Sequence, residues 1–203
     1  ALLAAKKKAA PEDAGDAAAA TDEYRQVIGT APDASGQAEA FWLLAGLAYR
    51  GKDIGLSVAT LHTLIHEYPW HQRALDALEQ PQLIASPPPV RDRALVLFRH
   101  RFNADAEGAF REVLTDPAAD AAEARYYLGI LAERAGDPEA ALAEYDASVA
   151  LLGDGRDPVL LGQALWDRAT VVVSIGSPDE STAAYTAVAD QAPGSEHAPE
   201  ALF

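Results

Sequence analysis

Apolar residues recur along this chain at steps of three and four, the spacing that gathers them on one side of an α-helix. The pattern is clearest between Ala122 and Gly153. Leu128, Ala132 and Ala135 follow Arg125 in such steps, and beyond Gly136-Asp137 the residues Ala141, Tyr145 and Ser148 repeat them. Neither half is apolar all round, so each predicts a helix that buries one stripe and needs a partner. The short Gly-Asp turn makes the two helices antiparallel neighbours. Gly129 and Ala141 stand where two helix backbones would approach closely, and the large Tyr145 fills the space beside them.

The same two-helix rhythm runs through the chain. Units are expected at about 1–34, 38–69, 87–117, 122–153 and 158–193. In the first, a partial helix over residues 1 to about 9 precedes a turn at Pro11–Asp16 and a helix from Ala17 to about Gly29 that carries Ala20, Tyr24 and Val27. The second has Trp42, Ala45, Gly46 and Tyr49 in its first helix, then a turn at Gly51-Lys52-Asp53 that reads one residue short. The third has Ala106 and Phe110 in the packing places, with Arg101-Phe102-Asn103 instead of a Gly-Asp turn. In the fifth, Gly176, Ser181, Tyr185 and Pro193 fall in register, and 153–157 form an insertion. Outside the rhythm lie an irregular helix at about 71–80 and a stiff linker, Pro81 to Val90, whose Pro87-Pro88-Pro89 favours polyproline geometry. Residues 195–203 read as the start of a further unit, and with no polar cap there and no initiating Met the chain is expected to be a segment of a longer protein. Only Thr170-Val171-Val172-Val173 hints at a strand, and it continues a helical pattern, so the expected class is all-α.

These residues resemble the tetratricopeptide (TPR) repeat, through Leu128, Gly129, the Gly136 turn, Ala141 and Tyr145 in one unit and the Trp42, Gly46, Tyr49 opening in another. Arg125 departs from the family's Trp, and Gly153 from its Pro. The resemblance implies a TPR-like right-handed superhelix of about five antiparallel helix pairs plus the irregular helix. It further implies that the first helix of each unit lines a concave surface, with repeat positions 2, 5, 9, 12 and 13 pointing into it. These are Arg91, Leu95, Phe98 and Arg99 in the third unit, Tyr126, Ile130, Glu133 and Arg134 in the fourth, and Trp166 in the fifth. A one-residue shift instead makes Trp166 a packing residue like Trp42. The competing reading of Phe98 and Tyr126 is packing between repeats.

Charge narrows the partners. The formal net charge is -15, which disfavours non-specific binding to nucleic acid or anionic membrane. Against that background Arg91, Arg93, Arg99, Arg101 and Arg111 cluster in one span. Arg91 and Arg99, with Leu95 and Phe98 between them, would suit an extended, partly anionic partner; the alternative is that they pair with the chain's own carboxylates. No stretch is apolar for long enough to span a membrane, and the absence of cysteine excludes disulfides and thiolate metal sites.

Candidate chemistry is sparse. Gly46 to Asp53 matches a phosphate-binding loop except at its last residue, where the magnesium-binding hydroxyl is an Asp and no strand precedes it. His62, His66 and His71 lack the His-Glu-x-x-His arrangement, and Pro69 ends the helix between the last two. The carboxylates read as solvated helix faces and helix N-termini. No cofactor, metal or catalytic residue is assigned. The expected function is a non-catalytic protein-interaction scaffold that takes a protein or peptide in its concave groove.

One finer resemblance is carried by His66–Ala74 and Ala192–Phe203, in which Pro and polar residues lead into an Ala-containing helix start. It is similar to the superhelical, non-catalytic domain of bacterial soluble lytic murein transglycosylases. That implies an accessory domain holding peptidoglycan for an absent catalytic domain, in the extracytoplasmic or periplasmic cell envelope. A cytoplasmic scaffold is the alternative.

Overall fold

The computed structural model describes residues 14–31, 33–116, 120–153, 155 and 157–202, with side chains from Ala20 onward. The helix expected over residues 1 to 9 lies outside them. The described residues are helical, without a strand. The helices are α1 (Ala14–Thr30), α2 (Ala34–Arg50), α3 (Ile54–Glu67), α4 (Gln72–Leu78), α5 (Gln82–Ala85), α6 (Val90–Arg99) and α7 (Asn103–Val113). There follow α8 (Ala121–Ala135), α9 (Pro138–Leu152), α10 (Pro158–Ile175), α11 (Pro178–Gln191) and a 3-10 turn, Glu200–Leu202. Thr170–Val173 lies inside α10, with Val171 and Val172 buried. The chain divides into two compact units, Ala1–Ala106 and Glu107–Phe203. In each, consecutive helices pack as antiparallel pairs, a TPR-like helical repeat fold.

In the second unit the pair α8–α9 is built around one contact. Tyr145 is fully buried, and its ring lies against the backbone of Gly129; a Cβ there would fall 2.5 Å from Tyr145 Cε1. The phenol donates to Glu133, one turn further along α8. Burial, and then the Glu133 carboxylate, push the Tyr145 phenol far above its ordinary pKa, so it remains a donor. At the far end of the pair, Ser148 Oγ donates to Ala122 O at 2.9 Å, which satisfies a buried hydroxyl. Arg125, in the family's Trp place, donates to Glu144 at 2.7 Å, so an ion pair across the helices stands in for the indole.

In the first unit, α2 and α3 repeat this pair with one difference in register from the sequence reading. Buried Ala38, Ala40, Leu44, Ala45 and Leu47 take the places of Ala122, Ala124, Leu128, Gly129 and Leu131. Ala45, not Gly46, is therefore the small residue at the close approach, and Leu61 fills Tyr145's place in the same core cluster. Trp42 then corresponds to Tyr126. The turn is not short: Lys52, with φ 64, occupies Gly136's left-handed position, φ 78. Both turns close with matching bonds, Asp53 N to Ala48 O and Asp137 N to Ala132 O. Both end in an Asp N-cap, with Asp53 accepting from Leu56 N and Asp137 from Ala140 N. The α6–α7 turn has Arg101 in the same left-handed position, φ 66, and closes with Phe102 N to Leu97 O, with Phe102 in place of the capping Asp. The Gly-Asp signature is thus a backbone geometry that two non-glycine residues also adopt, at a conformational cost.

The segment after α4 departs from the expected polyproline linker. Residues 82–85 form a helical turn because Leu83 is an apolar anchor, buried in the core that includes Ala45, Leu61 and Val96. Gln82 also reaches Ser57, whose Oγ bonds Ala45 O at 2.9 Å. Only 86–89 run extended to the start of α6. In the second unit, 192–199 turn back after α11, and Ala198 is buried there.

Three outcomes are expected. Tyr145→Ala should cost about 3–5 kcal/mol, and Gly129→Ala about 1–3 kcal/mol by overpacking, each read from urea unfolding. Lys52→Gly should raise stability by about 1 kcal/mol, because glycine carries no Cβ penalty at positive φ; a lowered melting temperature would contradict the turn geometry.

Candidate functional site

In three of the pairs the first helix carries an aromatic residue at the fifth repeat position, Trp42 in the first unit and Tyr126 and Trp166 in the second. In each case a group from beyond the second helix of the pair meets the side chain. The Arg73 guanidinium lies 5.1 Å from the Trp42 ring centroid, and Glu39 at 2.8 Å and Asp76 at 3.0 Å hold it there. These carboxylates raise the Arg73 pKa, the Glu39 hydrogen bond most. Tyr126 donates to Asp167 Oδ2 at 2.9 Å and tilts against Tyr145. Trp166 stacks on His197 at 4.8 Å and meets Tyr185 edge-on at 5.3 Å. Each of these rings thus has a partner within its own unit, and Trp166 is half-buried.

The other expected groove residues separate into two groups. In the first unit Leu95 and Phe98 are buried, at 7% and 4% exposure, because the apolar stripe of α6 faces the interior. A ligand on this helix would not touch them, which corrects their expected place in the groove lining. Arg91 is half-buried and donates to Asp92 Oδ1 at 3.2 Å, and the buried Asp92 also takes His66 Nδ1 at 3.0 Å. Arg91 therefore serves an internal carboxylate, while Arg99 stands exposed at the end of α6. In the second unit Ile130 is half-buried against Tyr145 and Ala141, Glu133 is exposed while accepting from Tyr145, and Arg134 is half-buried. The three histidines considered as ligands have different partners: Ser86 O for His62, Asp92 for His66, and Ser35 with the Arg73 amide for His71.

Asp167 is the functional group that sequence reasoning missed. It sits half-buried one residue past Trp166, on a helix whose apolar pattern gives no reason to draw a carboxylate away from water. Burial raises its pKa, opposed by the Tyr126 hydrogen bond and by the electrostatic influence of His197. Tyr126 is held above its ordinary pKa by burial and then by Asp167, so the hydrogen bond runs from phenol to carboxylate.

Steps of four and three along α10 align Val159, Gln163, Trp166, Thr170 and Val173 on one stripe. Val159 and Val173, at its ends, are 67% and 52% exposed. At the Val159 end lies a cavity of about 540 Å³ between the start of α10 and the turn after α11. The turn comes close because Gly162 has no side chain; a Cβ there would lie 2.4 Å from Ser195 Cβ.

Charge is distributed unevenly. Residues 107–203 hold five arginines and eighteen carboxylates, so they account for -13 of the chain's -15. Three of those arginines are engaged within the unit, Arg111 with Glu107, Arg125 with Glu144 and Arg168 with Asp146.

The half-buried Asp167 carboxylate yields a pH test. A raised folded-state pKa means stability that is present below the ordinary aspartate value and is lost as pH rises through the folded value. Asp167→Asn keeps an acceptor for Tyr126 and removes this loss. Its stability relative to the parent should rise between about pH 3 and pH 7, measured by urea unfolding at each pH. An offset constant with pH would refute the burial of this charge.

A comparison with curated proteins found no match. Residues 91–156, spanning α6 to α9, match the family model of the tetratricopeptide repeat, in agreement with their folding as helix hairpins.

Proposed function

We propose that this chain is a non-catalytic interaction scaffold that binds an extended segment of a partner protein along the outer stripe of α10. Tetratricopeptide repeats bind proteins through extended surfaces of stacked helices. The observation that carries the reading is the stripe itself, in which two exposed valines flank half-buried Gln163, Trp166 and Thr170. From Val159 to Val173 it runs roughly 21 Å, room for about six residues of extended chain. Trp166 is already fixed by His197 and Tyr185, so the surface is ordered before a partner arrives and less entropy is lost on binding. The scaffold acts by holding its partner, and no bond is made or broken on it.

The test is a random-peptide display selection against the full chain, followed by binding measurements with Val173→Arg. Val173 is exposed, so the variant should melt with the parent. Selected peptides should lose at least roughly tenfold in affinity for the variant. Peptides that bind both proteins equally, or a selection that enriches nothing, would overturn the reading.

A further inference from the structure

We infer that the partner segment is basic and that the cavity at the start of α10 seats one of its apolar side chains. The inference rests on the scaffold reading and names the chemistry of the partner. Pro158, Val159 and Gln163 form one wall of the cavity, and Ala192, Gly194 and His197 form the other. Its volume of about 540 Å³ is within the roughly 300–1,000 Å³ of sites that enclose a ligand group. The walls are mainly apolar, so burial of a side chain such as leucine there is favourable.

Charge selects what flanks that side chain. The unit carries -13, and three of its five arginines are engaged with its own carboxylates. Glu196, on the cavity rim, is 78% exposed, and Asp190 is exposed near it in the chain. A segment with lysine or arginine on both sides of the apolar residue matches this field, and an acidic segment would be repelled. The cavity supplies register, because a single apolar side chain must fall opposite it.

Gly194 makes the inference testable without disturbing the fold. A Cβ added there meets no atom within 4 Å, and its φ lies outside the left-handed region. Gly194 lines the cavity, so Gly194→Leu adds bulk at its wall without a clash at Cβ. The probe is a fluorescein-labelled peptide, Lys-Arg-Lys-Leu-Lys-Arg-Lys, measured by anisotropy against the full chain. Its companions have Ser in place of Leu, or Glu in place of every basic residue. The Leu-centred basic peptide should bind the parent at least roughly tenfold more tightly than either companion. Gly194→Leu should abolish the advantage of Leu over Ser, leave the Ser-centred peptide unchanged, and melt with the parent. Binding should weaken as salt rises from about 50 to about 300 mM. The inference is overturned if Gly194→Leu binds the Leu-centred peptide as the parent does, if the acidic peptide binds as well as the basic one, or if none binds. Because Val173 and Gly194 mark different ends of the surface, selected peptides that respond to Val173→Arg but not to Gly194→Leu would leave the scaffold reading standing and remove only the cavity assignment.

Discussion

The contact between the Tyr145 ring and the bare backbone of Gly129 sets the distance between α8 and α9, and much of the second unit is placed by it. With the ring lodged there, its phenol reaches Glu133 and its edge meets Tyr126. Tyr126 is thereby aimed at Asp167, which carries the constraint from α8 to α10. The following pair uses the same size relation in a looser form, with Ala169 in the core cluster against which Tyr185 packs. In α2–α3 the pairing is Ala45 with Leu61, alanine and leucine in place of glycine and tyrosine. A large residue on the second helix opposite a small one on the first is the rule; the particular residues are interchangeable when their volumes compensate.

This constraint also decides which residues remain for function. Trp42, Tyr126 and Trp166 share one repeat position, at which the repeat resemblance places Tyr126 and Trp166 in a groove. Each is instead engaged, by Arg73, Asp167 and His197 respectively. A face whose aromatics are spent on internal packing can contact a partner through what surrounds them. In the second unit these surroundings are the valines at the ends of the α10 stripe, the cavity beside Gly162 and a large excess of carboxylate. The arginine strip read from α6 meets the opposite fate. Its apolar members are core, and Arg91 is drawn to a buried aspartate, since removing a charge from water requires a partner close by.

The sequence alone determined the helices, their antiparallel pairing and the identity of the small and large residues in the clearest repeat. Hydrophobic period and turn chemistry are local properties, and they are written at Leu128, Gly129, Gly136 and Tyr145. It determined less where the local signal was ambiguous. Adjacent Ala45 and Gly46 are both small, so the motif fits two registers one residue apart, and the burial of Ala45 in one core with Leu61 decides between them. The left-handed backbone at Lys52 and Arg101 was hidden because neither residue type announces positive φ. Leu83 could not be distinguished from a linker residue until the core that receives it was formed. For the candidate site the division is sharper. That α10 carries Val159, Trp166 and Val173 on one stripe follows from helical geometry. That Trp166 is covered by His197, that Asp167 accepts from Tyr126, and that a cavity opens beside Gly162 are decisions of the tertiary structure. The physical reason is that each depends on residues from 30 to 41 positions away, which no local periodicity relates.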